Sequence, residues 1–398
     1  MLLREPRREL HARVAATLEN QFADVAENRP ELLAHHYSAA GLIEKGARQW
    51  GKAGQRSLER SALAEAISQL TRALAEIATL PGTPALRREE IKLRVALITP
   101  LMHVKGYAAE ETKAAVEQAH LLIKQAEALG EAPDDPLLLF SVLYGLWVAH
   151  YVAFDGDVMC DLAAQFLALA EKQRATVPLM TGHRLMGVSL LNTGRFAEAR
   201  AHLDRGLAFY VPAEHRPLAT RFGQDARVAA LFYRSLTLWL LGYSDAALAD
   251  AERAVEDARE LGQAPTLLAA LALSSMTHIH RGNYALAAAY LDEVIALADA
   301  TGALLWKLVG RVDRGCVLAA SGKAADAVSV ITSGFSAWRS TGTTVWRPVY
   351  LSYLARAYGQ LGQFDELRAA LLKRSRLCRP ARRAGTKPIS IASPENSR

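Results

Sequence analysis

The sequence predicts an all-α chain: a solenoid of antiparallel helix hairpins with a period of about forty residues, coiled into a right-handed superhelix. Three observations carry this. Glycine recurs every twenty residues from Gly242, through Gly262, Gly282, Gly302, Gly322 and Gly342, to Gly362. The stretches between are rich in Ala, Leu, Glu and Arg, residue types that lose little on entering a helix. Strand formers nowhere cluster into alternating runs bounded by turn signals.

A twenty-residue step fits one helix plus a tight turn, because glycine adopts the left-handed conformation that ends a helix without a Cβ clash. After Gly194, Gly282 and Gly362 the chain reads GRFAEA, GNYALA and GQFDEL, with an aromatic two residues on. GYSDAA after Gly242 and GKAADA after Gly322 keep the small residue five positions on. This turn resembles the one between helix A and helix B of the tetratricopeptide repeat (TPR).

The resemblance has an internal test, since close packing of A on B needs small side chains where the helices cross. Seven residues before the turn glycines stand Gly187, Ser235, Ser275, Gly315 and Ala355. Five after stand Ala199, Ala247, Ala287, Ala327 and Leu367; twelve after stand Gly206, Ala254, Val294, Gly334 and Arg374. The columns are small almost throughout and break at Arg374. Gly41, preceded by Ala34 and followed by Gly46 and Ala53, carries the pattern at the N-terminal end. Between about residues 80 and 180 the register loosens around LPGTPALR and GEAPDDP. The expected total is about sixteen to eighteen helices near seventeen residues each, divided as an N-terminal helix (1–28), irregular repeats (29–180), regular repeats (181–372) and a basic disordered tail (373–398).

Charge and composition narrow the function. After residue 372 eight basic residues face Glu395 alone, so the net +6 resides in the tail and the body is balanced at about −1. The tail lacks interleaved aromatics, which argues against a specific nucleic-acid role. The segment LLLFSVLYGLWVAHYVAF (137–154) is of borderline spanning length, but its polar residues and acidic flanks favour a buried helix over a membrane span. Cys160, Cys316 and Cys378 are scattered without a CxxC pair, which suggests reduced thiols and a cytoplasmic setting. The start MLLREPRREL has no apolar secretory core.

Chemistry-bearing motifs are missing. No P-loop, dinucleotide fingerprint, HExxH or GxSxG occurs, so no enzyme activity and no cofactor is expected of this chain. His278 and His280 sit about 200° apart around a helix and His35 and His36 are adjacent, so neither pair suits a metal. The candidate partner-binding residues are arginines inside apolar A helices: Arg227, Arg234, Arg311 and Arg314. Each must be paired, with carboxylates such as Asp225, Asp250 or Asp313, or must line a concave groove for an acidic peptide or anionic ligand. Trp346, Arg347 and Tyr350 could add an aromatic wall to that groove.

Several segments carry a more specific likeness. ELLAHHYSAAGLIEKGARQWGKAGQRSLERSALAEAISQLTRAL (31–74), IKLRVALITPLMHVKGYAAEETKAA (91–115), DDPLLLFSVLYGLWVAHYVAFDGDVM (134–159), PAEHRPLATRFGQDARVAALFYRSLTLWLLGY (212–243) and STGTTVWRPVYLSYLARAYGQLGQFDE (340–366) resemble the C-terminal helical-repeat region of bacterial class III adenylate/guanylate cyclases fused to a signalling AAA-type ATPase. Residues 1–28 look like the helix that follows the ATPase module. No residue matches the family's cyclase aspartates or P-loop, which would precede residue 1. The resemblance therefore implies a non-catalytic scaffold or sensor that binds a protein or small effector and regulates a cyclase/ATPase module. The alternatives are a component acting in trans with a separately encoded catalytic chain, and a truncated remnant.

Overall fold

A computed structural model describes residues 4–107, 109–131, 135–219, 221–338 and 343–377. Among them are twenty α-helices, one 3-10 turn and no strand. The described residues begin with α1 (Arg4–Gln21), eighteen residues long, and α2 (Ala23–Asn28), a mere turn and a half. The N-terminal half continues with α3 (Pro30–Ala40), α4 (Ile43–Glu59), α5 (Leu63–Ile77), α6 (Pro84–Val104), α7 (Glu110–Ala128), α8 (Leu137–Ala153) and α9 (Gly156–Gln173). Then come α10 (Thr176–Asn192), α11 (Phe196–Ala208), the four-residue α12 (Pro212–His215), α13 (Ala226–Leu240) and α14 (Ser244–Leu261). The chain closes with α15 (Ala264–Arg281), α16 (Tyr284–Thr301), α17 (Leu304–Ala320), α18 (Ala324–Trp338), α19 (Arg347–Gln360) and α20 (Phe364–Leu377). Without α2 and α12, eighteen helices remain, the upper end of the sequence expectation.

Each helix packs on its successor, except that α11 packs on α13 past the short α12, and alternate helices also touch: α4 on α6, α6 on α8, α8 on α10, α10 on α13, then α13, α15, α17 and α19 in turn. The result is the two-layered solenoid of a TPR-like fold. The main apolar core runs unbroken from Ile91 on α6 to Ala370 on α20, across residue 180. A smaller cluster of α3 to α6, around Trp50 and Leu70, precedes it.

The glycine ladder is a set of left-handed helix ends. At Gly282 φ is +83°, its N–H reaches Ile279 O, and the Asn283 N–H reaches His278 O. A Cβ there would meet nothing within 4 Å, so backbone conformation alone selects glycine. Gly41, Gly194, Gly242, Gly322 and Gly362 also have positive φ, whereas Gly342 lies outside the described residues. The small columns are crossing points: a Cβ on Gly187 would stand 2.7 Å from Leu203 Cγ, and the Ser235 hydroxyl donates to Ala247 O at 2.7 Å.

At the C-terminal end α20 continues to Leu377, five residues into the segment 373–398 expected as tail; residues 378–398 lie outside the described residues. Arg374 is exposed, and Ala370 is the buried residue of this helix. Phe364 and Leu372 face outward where the column pattern fails. Helix α8, the segment weighed as a span, is a core helix, and no helix among the described residues is long and apolar enough to cross a membrane.

Candidate functional site

The superhelix brings sequence-distant segments together over its inner layer. His103 on α6 links two of them. Its Nε2 lies 3.2 Å from Gly223 O, in the loop before α13, and its Nδ1 lies 3.2 Å from Trp306 Nε1 on α17. The indole can only donate, so Nδ1 accepts and Nε2 carries the proton that goes to Gly223 O. Burial pushes the His103 pKa down to about 4, so the ring is neutral at pH 7. A second closure joins the segment before α19 to the end of α8: the Thr344 N–H donates to Val152 O at 2.7 Å and the Val345 N–H at 3.2 Å.

Between these closures lies an aromatic-walled cavity of about 30 Å³, room for one or two waters, with a mouth partly open to solvent. Helix α8 supplies Tyr144, Trp147 and Tyr151, whose i, i+3, i+7 spacing puts them on one face. Trp147 stacks on Tyr151 at 5.2 Å and 7°, and Tyr144 on Trp147 at 6.4 Å and 20°. Tyr233 from α13 donates its hydroxyl to that of Tyr151 at 3.1 Å. Trp306 and Trp346 close the far side, with Trp346 edge-on to Tyr151 at 6.2 Å. Burial raises the Tyr151 pKa well above its usual value and the Tyr233 pKa to about 12, so both phenols stay protonated.

One cation enters this apolar room. Arg184 on α10 is 3 % exposed and lines the cavity, its guanidinium 5.3 Å from the Tyr144 ring centroid. Its Nε and Nη2 have no hydrogen-bond partner, and among the described residues it has no carboxylate partner. Tyr144 has its pKa raised by burial, with the Arg184 charge and a side-chain hydrogen bond from Arg184 opposing.

The arginines singled out from the sequence sit elsewhere. Arg234 bridges Asp250 (2.7 and 2.8 Å) and Asp204 (2.8 Å). Arg227 pairs with Asp257 at 2.7 Å, and Arg314 with Asp292 at 3.0 Å. Arg311 is exposed, with no ion pair among the described residues. Of the carboxylates named as partners, Asp250 holds Arg234, Asp225 caps α13 through the Arg227 and Val228 N–H groups, and Asp313 is buried without a cation. Trp346 lies in the cavity wall; Tyr350 is buried against Trp338, and Arg347 stands over the Phe335 ring at 5.9 Å. The four arginines are thus not gathered with the aromatic group, of which Trp346 alone faces the cavity.

Sequence reasoning missed Arg184 and the α8 stripe. The stripe was legible as i, i+3, i+7 aromatics, and Arg184 as a lone cation in TVPLMTGHRLMGV. No sequence signal links either to Trp306. The histidines divide as helix geometry requires: His278 packs edge-on to Tyr290, while His280 stacks on Trp239. His35 and His36 meet a third ring, His11 of α1, with centroids 5.8 and 5.0 Å away. Among the described residues no cluster of three or more His, Cys, Asp or Glu could hold a metal ion.

No family model matches the chain. It is 25% identical over 370 residues to an uncharacterised protein of Rhizobium meliloti (strain 1021), covering 92% of this chain but 35% of that protein. The chain thus spans about a third of its curated relative. Among solved structures it resembles a Rap protein complexed with Competence and Sporulation Factor, with a TM-score of 0.55, 11% identity, and 83% of this chain and 97% of that one covered. It also resembles aspartyl phosphate phosphatase F from Bacillus subtilis, with a TM-score of 0.50, 15% identity, and 84% and 93% covered. At these identities the likeness concerns architecture, and the architecture is a TPR-like α-solenoid.

Proposed function

We propose that this chain is a regulatory sensor or scaffold that takes a protein segment or small effector into its concave interior and passes that state to a cyclase/ATPase signalling module in the cytoplasm. The observation that carries the reading is the aromatic cavity at the closure of the superhelix. Helices α6, α8, α10, α13 and α17 and the segment before α19 all contribute to it or to its closures. A ligand entering there touches both ends of the central turn at once. It can therefore bias superhelical pitch through its different affinities for the open and closed forms. Two further facts lend support. The fold is shared with a Rap protein solved in complex with a factor, and the longer Rhizobium relative has room for a catalytic module beyond the matched region. Exposed Arg311 and ring-stacked Arg347 would form outer contacts for an acidic partner segment, with the paired Arg227, Arg234 and Arg314 holding the walls in place. Residues 1–28 would form the junction with the ATPase module.

The test uses that longer relative. The purified full-length protein is assayed for ATP hydrolysis and cyclic-nucleotide formation, with and without substitution of the positions aligned with Trp147 and Trp306. Turnover that changes several-fold on substitution supports the reading. A full-length protein with neither activity overturns its cyclase/ATPase part.

A further inference from the structure

We propose that the central cavity is a binding site for a small organic acid, with Arg184 as the seat of its carboxylate. The inference rests on the sensor reading above and gives the effector a chemical class. Arginine stays charged at any pH a protein experiences, so burial cannot be relieved by losing the proton. An unpaired buried cation is among the costliest groups a fold can carry, and it is tolerated where a ligand completes the site. Arg184 meets that description: 3 % exposed, without a carboxylate among the described residues, and with Nε and Nη2 both buried and without a hydrogen-bond partner.

Nε and one terminal nitrogen are the edge of the guanidinium that grips a carboxylate in two parallel hydrogen bonds. The surroundings select the rest of the ligand. Trp147 and Tyr151 form a flat wall at 7°, and Trp306, Trp346, Val148 and Val152 also line the cavity. An aromatic or aliphatic body fits such walls. A phosphate dianion would call for a second cation, and Arg184 is the one cation among the cavity-lining residues. The closed cavity holds only about 30 Å³, so the acid's head fills the inner end while its body occupies the mouth and parts the closure at Trp306 and Trp346.

The experiment is a thermal-shift and tryptophan-fluorescence titration of the full chain with 3-phenylpropionate and octanoate. Their neutral amides and phenyl phosphate are titrated alongside. The acids should raise the melting temperature by roughly 3 °C at a hundred times Kd and change the emission of Trp147, Trp306 and Trp346. The amides and phenyl phosphate should do neither. Arg184→Met should melt above the wild type without ligand and lose the response to acids. Arg184→Lys, which keeps the charge but not the fork, should bind about tenfold more weakly and serves if Arg184→Met does not fold. Acids that bind no better than their amides, phenyl phosphate binding as well as the acids, or an unchanged response in both variants would each overturn the proposal. Acids that fail while turnover in the longer relative still responds to the Trp147 and Trp306 substitutions would remove this ligand class alone. A cyclase/ATPase-free relative together with acid binding would leave the site and remove the module.

Discussion

Asp313 and Arg234 sit one repeat-pair apart and show opposite ways of carrying charge in an α-solenoid. Asp313 is 2 % exposed and its Oδ1 has no partner; burial raises its pKa to about 8, with Tyr350 opposing in part. The folded state therefore binds this proton more tightly than the unfolded chain, whose carboxyl titrates near 4. From about pH 4 to pH 8 the native state holds the proton and the unfolded state does not, so stability falls as pH rises through that window, by at most about 1.4 kcal/mol per unit. Asp313→Asn removes this slope. Melts at pH 5, 6.5 and 8 should show the variant gaining on the wild type with each step. A constant difference would mean that the carboxyl is ionised in the fold. Arg234, by contrast, is about a quarter exposed and grips Asp250 with two hydrogen bonds. Breaking a fully buried pair costs about 3–5 kcal/mol and an exposed one about 0–1. Arg234→Ala should therefore cost about 2 kcal/mol in urea unfolding, between those limits. A loss under about 0.5 kcal/mol would place this ion pair in the solvent-screened class.

At the scale of helices, two kinds of glycine do different work. Gly282 has open space around it and φ of +83°, so Gly282→Ala should cost only the left-handed backbone penalty, about 1–2 kcal/mol. Gly315 has ordinary helical φ, but a Cβ there would stand 2.6 Å from Ile331 Cγ1 on α18. Gly315→Val must push α17 from α18 and should cost about 1–3 kcal/mol or more through overpacking. Hydrogen exchange separates the two mechanisms. The Gly315 variant should lose protection along both α17 and α18, the Gly282 variant mainly at the α15–α16 turn. Equal and local effects would refute the crossing-point role of the small column. Both roles were legible in sequence, because the turn and the crossing recur at constant offsets. The segment around α12 was not, since it interrupts the period, and from it Gln224 lines the cavity and the Gly223 carbonyl meets His103.

For the molecule as a whole, His103 is the pin between the first and last thirds of the chain. Its partners stand 120 and 203 residues away. His103→Leu removes the histidine partner of the Trp306 N–H and of the Gly223 carbonyl, which should cost about 2–4 kcal/mol at pH 7. The folded pKa of about 4 lies below the ordinary histidine value, so the native state resists protonation. Wild-type stability is therefore retained above about pH 6.5 and lost as pH falls from there toward 4. The gap between wild type and His103→Leu should narrow correspondingly, and urea melts at pH 7 and 4.5 would check it. Small-angle scattering should also show the variant more extended. An unchanged radius of gyration together with an unchanged stability gap would mean that the closure does not depend on this residue.

The sequence by itself determined the helical class, the forty-residue hairpin, the turn glycines and the small crossing positions. These are local or nearest-neighbour demands, so they repeat at fixed spacing and can be read without knowing where distant segments lie. It also showed that buried arginines need partners, and of the three carboxylates it offered without assigning them, Asp250 holds Arg234. Only the tertiary structure decided which arginine is buried without a carboxylate among the described residues and which aromatics surround it. That choice depends on the curvature of the superhelix, which adds small rotations from every repeat until Trp306 meets His103 and Thr344 meets Val152. Such a sum leaves no periodic trace in the residues it brings together.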